Sequence, residues 1–295
     1  MTRVAAIGEA MIELSWQGDV AQVGVAGDSL NTAIYLKRAA PSLQVDYITC
    51  LGDDPFSDQI EEFIRQMGIG TKHCEHIAGK SPGLYAITTS DTGERSFTYW
   101  RSASAARDLF QKEGGCDFSV LESYDLLYLS GISVAILPQW VRLELLEWLS
   151  KTPVRVAYDS NFRPRLWEDT QTAREITEAF WKRADVCLPS IDDEMLLFGG
   201  DPKSVATRFE GYGGTGALKQ GAEGPVSLGS LVVDQSYAPA TQVVDTTAAG
   251  DSFNGAYLAA LLTGKDQRTA LLSGHDCAAR VVQYRGAIVP EEATR

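Results

Sequence analysis

The chain has 295 residues, enough for one large α/β domain or two small ones, and 44% of them are hydrophobic, as a proper core requires. Lys and Arg number 26 against 39 Asp and Glu, so the net charge is −13. That excludes a general nucleic-acid binder, which needs clustered cations, but not a small phosphorylated substrate, which needs only local positive charge. Five scattered cysteines (Cys50, Cys74, Cys116, Cys187, Cys277) form no C-x-x-C pair, favour a reducing compartment and supply no metal site. No basic leader precedes the first strand and no run approaches the ~18–20 apolar residues of a membrane span. The expectation is a soluble cytoplasmic protein.

Residues 4–7 form a continuous apolar run, suited to a strand buried on both faces. Residues 11–14, then Trp16, Val20, Val23 and Val25 among polar neighbours, predict a small exposed strand pair. Ala26-Gly27-Asp28-Ser29 leads into a helix with Leu30, Ala33, Ile34 and Leu36 as its apolar positions, and Asp28 or Ser29 is expected to cap it. Asn31 is a poor helix-interior residue, which points to a ligand. Residues 45–51 predict a buried strand, Gly52-Asp53-Asp54-Pro55 a turn, and 56–67 a helix. Segments 83–89 and 95–101 flank Ser90-Asp-Thr-Gly93-Glu94 and predict a hairpin. Phe97, Tyr99 and Arg101 share one of its sides.

From residue 125 the pattern becomes regular. Strands are expected at 126–129, 154–157, 186–188 and 216–219, and helices at 138–149, 172–181, 194–198 and 204–209. This alternation implies a parallel sheet covered on both faces, with ligands at the carboxyl ends of the strands. There is no repeat, linker or low-complexity stretch.

Several stretches carry candidate chemistry. Arg163 and Arg165 follow the strand ending at Ala157; an arginine fork suits a carboxylate. Ser190, Asp192, Asp193 and Glu194 read as an acidic helix start or a cation site. Lys219-Gln-Gly221-Ala-Glu-Gly224 follows a late strand, and Lys219 reads equally well as a rim charge. Gln242-Val-Val-Asp245, Thr247, Ala248-Ala249-Gly250-Asp251 and Phe253 read as strand, tight turn and helix, the helix continuing through Ala256, Tyr257, Ala260 and Leu261 to Gly264. The open N–H groups at its start make an anion site, and Asp251 in the first turn is either a dipole charge or a base beside that site. His275 stands alone on the last helix. No phosphate loop of the G-x-x-x-x-G-K-[ST] type, dinucleotide fingerprint, Ser/His/Asp order or zinc cluster is present.

The 245–253 turn resembles the D-T-x-G-A-G-D signature of the ribokinase-like (PfkB) sugar kinases, with Ala248 where most of that family has Gly. The variant D-T-T-A-A-G-D-S-F resembles the 2-keto-3-deoxygluconate kinase branch, as do Tyr128-Leu-Ser-Gly-Ile-Ser133 and Gln283-Tyr-Arg-Gly-Ala-Ile288. The resemblance runs from residue 8 to residue 290. It implies one ribokinase-like domain over 1–295: a mostly parallel sheet flanked by helices, with a β lid from about 12–25 and 83–101 that also dimerises. It assigns sugar hydroxyls to Gly27, Asp28 and Asn31 through a G-G-x-x-x-N-x-A signature in which Ala26 replaces the first Gly. Tyr85, Tyr99, Arg101 and Arg163 would hold the sugar acid. Ser190, Lys219, Gly221, Gly224 and His275 would face the nucleotide. Asp193 would reach Mg²⁺ through water, Ser190 and Asp193 replacing the Asn and Glu of the family's N-x-x-E motif. The implied reaction is ATP-dependent phosphorylation of the primary hydroxyl (carbon 6) of 2-keto-3-deoxygluconate. Asp251 would be the general base, and the N–H groups of Ala248, Ala249, Gly250 and Asp251 would stabilise charge. Activation by a monovalent cation is left open. The alternatives are a neutral-sugar kinase of the same fold and, in another class, a non-catalytic sugar sensor.

Overall fold

The computed structural model describes residues 1–17, 19–89, 95–233 and 235–294. The chain begins with β1 (Arg3–Ile7), β2 (Met11–Gln17) and β3 (Val20–Ala26), followed by α1 (Asp28–Ala39), β4 (Gln44–Leu51), α2 (Pro55–Gln66) and β5 (Gly70–His76). Then come β6 (Gly83–Thr89), β7 (Arg95–Trp100), the short β8 (Gln111–Lys112) and β9 (Gly115–Cys116), β10 (Leu126–Ser130), α3 (Gly131–Ala135) and α4 (Gln139–Lys151). The last part holds β11 (Arg155–Asp159), α5 (Thr170–Arg183), β12 (Val186–Leu188), α6 (Ile191–Phe198), α7 (Pro202–Glu210), β13 (Thr215–Leu218), β14 (Val226–Leu228), α8 (Ala249–Leu262) and α9 (Gln267–Val281).

Eight strands form one sheet in the order β14-β13-β12-β11-β10-β1-β4-β5, parallel throughout except for β14. Its inner strands are buried on both faces, and successive side chains divide between two cores. Ala5, Ile7, Leu127 and Leu129 pack toward the α4 and α5 side with Leu145 and Phe180. Val4, Ala6, Leu126 and Tyr128 pack toward the α1 and α8 side with Leu30 and Tyr257. A period-two strand inside a period-3.6 helical shell gives this division directly. The starts of α2, α5 and α9 are fixed by side-chain caps. Asp54, Asp169 and Asp266 accept from the N–H groups of Phe56, Thr172 and Thr269 at 2.9, 2.8 and 2.8 Å.

The smaller sheet has the order β3-β2-β6-β7, with β2 and β6 parallel and the outer pairs antiparallel. The predicted turn at 90–94 lies outside the described residues. The chain enters this sheet at Glu9 and leaves it at Arg101, and these two side chains form an ion pair, 1% and 9% exposed. The other two crossings, Gly27 and Gly83, come so close that a Cβ on either would collide with Glu9.

Two expectations fail. The strand predicted at 242–245 does not form. Val243 and Val244 are exposed, and the N–H groups of Val244 and Asp245 both donate to the carbonyl of Val282, at 2.8 and 3.1 Å. The run crosses the end of α9 with no strand beside it, so β-branched content had nothing to pair with. Neither Asp28 nor Ser29 caps α1: the N-cap is Gly27, Ser29 bonds Tyr47 (2.9 Å), and Asp28 turns into the cavity described next. At the Gly52-Asp53-Asp54 turn, Asp54 caps α2, whereas Asp53 caps no helix and accepts from the N–H of Gly79 (3.0 Å).

Candidate active site

The carboxyl ends of β10, β11, β12 and β13, the first turns of α1 and α8, and the inner face of the smaller sheet enclose a cavity of about 940 Å³. Gly27, Asp28, Asn31, Tyr85, Tyr99, Arg101, Arg163, Ser190, Asp193, Lys219, Gly221, His275 and all of Ala248 to Asp251 line it. Gly224 does not; it borders a neighbouring hollow of about 340 Å³ with Tyr237 and Leu271. One surface therefore gathers residues drawn from both ends of the chain.

At the first turn of α8, Ala248 holds a left-handed conformation (φ 58°), the place where a glycine would meet no Cβ penalty. Asp245 fastens the approach: Oδ1 accepts from the N–H and hydroxyl of Thr247 (3.0 and 2.6 Å), and Oδ2 from the N–H of Gly286 (2.8 Å). The N–H of Ala249 turns back to Thr246 O (3.2 Å) and that of Ser252 bonds Ala248 O (2.9 Å). Of the four expected donors, Ala249 is thus engaged, whereas among the described residues the N–H groups of Ala248, Gly250 and Asp251 have no intrachain backbone acceptor. The expected set of four donors narrows accordingly.

Asp251 accepts from Asn31 Nδ2 at 2.8 Å, which joins α8 to α1. Burial, then the charge of Asp28, pushes its carboxyl well above the usual carboxylate range, against the pull of Asn31 and Lys219. Asp28 Oδ2 accepts from Asn161 Nδ2 (2.7 Å) and from the hydroxyl of Ser130. Asn31 lines the cavity, and its Oδ1 is a buried acceptor with no partner.

The three side chains with fixed positive charge along the wall already carry carboxylates: Arg101 pairs with Glu9, Arg163 with Asp193 (3.5 Å) and Lys219 with Asp159 (2.8 Å). Arg163 is half exposed, whereas Lys219 is 11% exposed, so it is no rim charge. Burial raises the carboxyls of Glu9 and Asp193 against the lowering effect of these arginines. On the smaller sheet, Tyr85, Phe97 and Tyr99 form an aromatic wall, with Tyr85 and Tyr99 ring centres 5.6 Å apart, and the Tyr85 hydroxyl bonds Glu13. His275 is buried and its Nε2 donates to Ala238 O (2.8 Å), with the ring 4.9 Å from that of Tyr237.

Asp159, Asn161 and Asn254 escaped the sequence reading. Asp159 and Asn161 sit beside the arginines that drew attention. Asn254, like Asn31, is an asparagine inside a helix, and the same signal would have found it.

The 2-dehydro-3-deoxygluconokinase of Escherichia coli is 39% identical over 303 residues, covering 99% of this chain and 98% of that protein. Its namesake from Dickeya dadantii is 40% identical over 302 residues, covering 98% and 97%. Among solved structures, a PfkB protein from a Polaromonas species superposes with a TM-score of 0.80 at 25% identity, covering 99% of this chain and 98% of that one. The 2-dehydro-3-deoxygluconokinase of Thermotoga maritima reaches 0.79 at 20% identity over 100% and 98%, a likeness of fold. The profile of the pfkB family of carbohydrate kinases matches residues 1–294, across both sheets and every residue of the cavity, and the chain belongs to that family.

Proposed function

We propose that the protein is an ATP-dependent 2-dehydro-3-deoxygluconokinase with Asp251 as its general base. The observation that carries the reading is the pairing of Asp251 with Asn31 at the open first turn of α8, facing a cavity that also holds Arg101 and Arg163. The substrate's primary hydroxyl oxygen attacks the γ-phosphorus of ATP. The bond from that phosphorus to the β,γ-bridging oxygen breaks, ADP leaves with the electron pair, and the hydroxyl proton passes to Asp251. The N–H groups of Ala248, Gly250 and Asp251 and the positive end of α8 stabilise charge on the group in transit.

Asn31, Asp28 and Gly27 hold the sugar hydroxyls; the unpartnered Asn31 Oδ1 suits a hydroxyl donor. Tyr85 and Tyr99 flank the chain of the sugar acid, and Arg101 and Arg163 share its carboxylate. Ser190, Gly221 and His275 border the nucleotide, and Gly224, outside the cavity, does not. Mg²⁺ would neutralise the phosphates, and Asp193, a cavity-facing carboxylate, would reach it through water as such sites allow. The smaller sheet acts as a lid and as the dimer contact.

A neutral-sugar kinase is the second reading, supported by the prior pairing of Arg101 with Glu9 and Arg163 with Asp193. A coupled ADP-release assay with ATP and Mg²⁺ separates the two, run on 2-keto-3-deoxygluconate, its galactonate epimer, fructose, ribose and gluconate. Turnover confined to the keto-deoxy acids is expected. Turnover on fructose or ribose would overturn the substrate and keep the chemistry at Asp251. Silence on all five would favour a sugar sensor.

A further inference from the structure

Lys219 does not stand alone. Its Nζ donates to Asp159 Oδ1 at 2.8 Å and to Asn254 Oδ1 at 3.1 Å. Asn254 closes the ring by donating from Nδ2 to Asp159 Oδ2 at 2.8 Å. Its second Nδ2 hydrogen reaches the hydroxyl of Tyr128 (3.1 Å), which also accepts from Thr32 (3.1 Å). The arrangement spans β10, β11, β13, α1 and α8. Asp159 and Asn254 are 3% and 0% exposed. An ammonium has three donors, and this ring uses two. Lys219 also borders the cavity directly beneath the α8 turn: a Cβ placed on Gly250 would lie 3.6 Å from its Nζ.

A buried ion pair is weak support for stability, because desolvation offsets most of the attraction. The ring makes better sense as a device for fixing a charge. Asp28, Asp159 and Asp251 face the same region from three elements, so an incoming phosphoryl oxygen would otherwise meet carboxylates. A cation fixed beforehand requires no reorganisation when charge develops.

We infer that Asp159 and Asn254 are positioning residues that hold the Lys219 ammonium beneath the Gly250 turn, where its third N–H contacts the phosphoryl group in transit. The inference deepens the proposed kinase chemistry and rests on it, but not on which sugar is used.

The test is a double-mutant cycle of Lys219→Met, Asp159→Asn and both together. It is read as kcat and KM on whichever sugar is turned over, with thermal unfolding as the control for folding. Lys219→Met is expected to lower kcat by about 10²–10³-fold, the scale of a lost charge-stabilising donor, with KM for the sugar within about threefold. Asp159→Asn alone should lower kcat at least about tenfold, yet add less than about twofold in the Lys219→Met background, since it acts through the lysine. Lys219→Arg should recover at least about tenfold over Lys219→Met, because the charge is restored. Equal cost of Asp159→Asn in both backgrounds, or an unchanged kcat for Lys219→Met, would overturn the inference. If Asp159→Asn unfolds, Asn254→Ser takes its place in the cycle.

A sugar-free readout keeps this distinct from the substrate question: binding of ADP with aluminium fluoride, a mimic of the group in transit, by calorimetry. Lys219→Met should weaken the mimic at least about tenfold and ADP alone less than about threefold. Equal weakening of both would sink the idea even if the sugar assignment stood.

Discussion

Asp251 is placed so that its charge costs folding energy and serves chemistry. Burial and the neighbouring Asp28 raise its carboxyl. A carboxyl raised in the folded state favours folding while protonated, and that contribution is lost as pH rises through the folded value. The base works only when deprotonated, so kcat should fall as pH drops, with a midpoint well above that of an ordinary aspartate. Asp251→Asn is expected to cut turnover below a tenth of wild type while ADP and ATP still bind within about threefold. At pH 9 it should also be the more stable protein by about 1 kcal/mol or more, the worth of one pKa unit, and this gain should shrink toward pH 5 and vanish only below about pH 4, where an ordinary aspartate in the unfolded chain is protonated too. Equal stability at both pH values would show that the carboxyl is not raised, and retained turnover would remove its role as base. Asp251 and Asn31 were legible because each breaks a local rule: an acid in a turn of small residues, an amide inside a helix. Lys219 was legible as a charge in a loop that resembles the family's nucleotide loop, but not as a buried one. Its burial depends on Asp159 and Asn254, which are 60 and 35 residues away in sequence.

Between elements, the decisive contact is the crossing of α1 and α8, which brings Asn31 to Asp251. Gly255 permits it: a Cβ there would lie 2.7 Å from Thr32 O, Leu36 N and Tyr35 Cβ. Strands such as β1 and β10 could be read from sequence because burial on both faces leaves an unbroken apolar run. The 242–245 run could not be read correctly, since its composition describes a backbone that fits a sheet, not whether a neighbour strand exists. On the smaller sheet, period two and the strand register put Trp16, Val23 and Trp100 on the face away from the cavity, 49%, 46% and 58% exposed. Apolar groups gathered in this way suit contact with a second copy. Light scattering at micromolar protein should report a dimer, and Trp100→Lys should shift it toward monomer. A wild-type monomer would remove the contact.

For the whole molecule, the strand–helix alternation after residue 125 announced the parallel sheet, and the carboxyl-end rule announced the location of the cavity. What no linear reading supplied is the closure of the site from opposite ends of the chain. Asn31 and Asp251 are 220 residues apart, and β1, the first strand, lies inside the sheet between β10 and β4. Among the described residues no helix is long and apolar enough to cross a membrane.

Because Arg101, Arg163 and Lys219 each come with a carboxylate, the cavity offers no positive far field to an approaching anion, and the molecule around it carries a net charge of −13. Nucleotide and sugar acid must therefore arrive by unaided diffusion against a weak repulsion, and the arginines recognise them only at contact. Added salt then screens a repulsion rather than an attraction. With K⁺ and Mg²⁺ held constant, kcat/KM for both substrates should stay level or rise as tetramethylammonium chloride goes from about 20 to 200 mM, where the screening length shrinks to below about 10 Å. A tenfold fall would mean that the ion pairs open and steer the substrate before it binds.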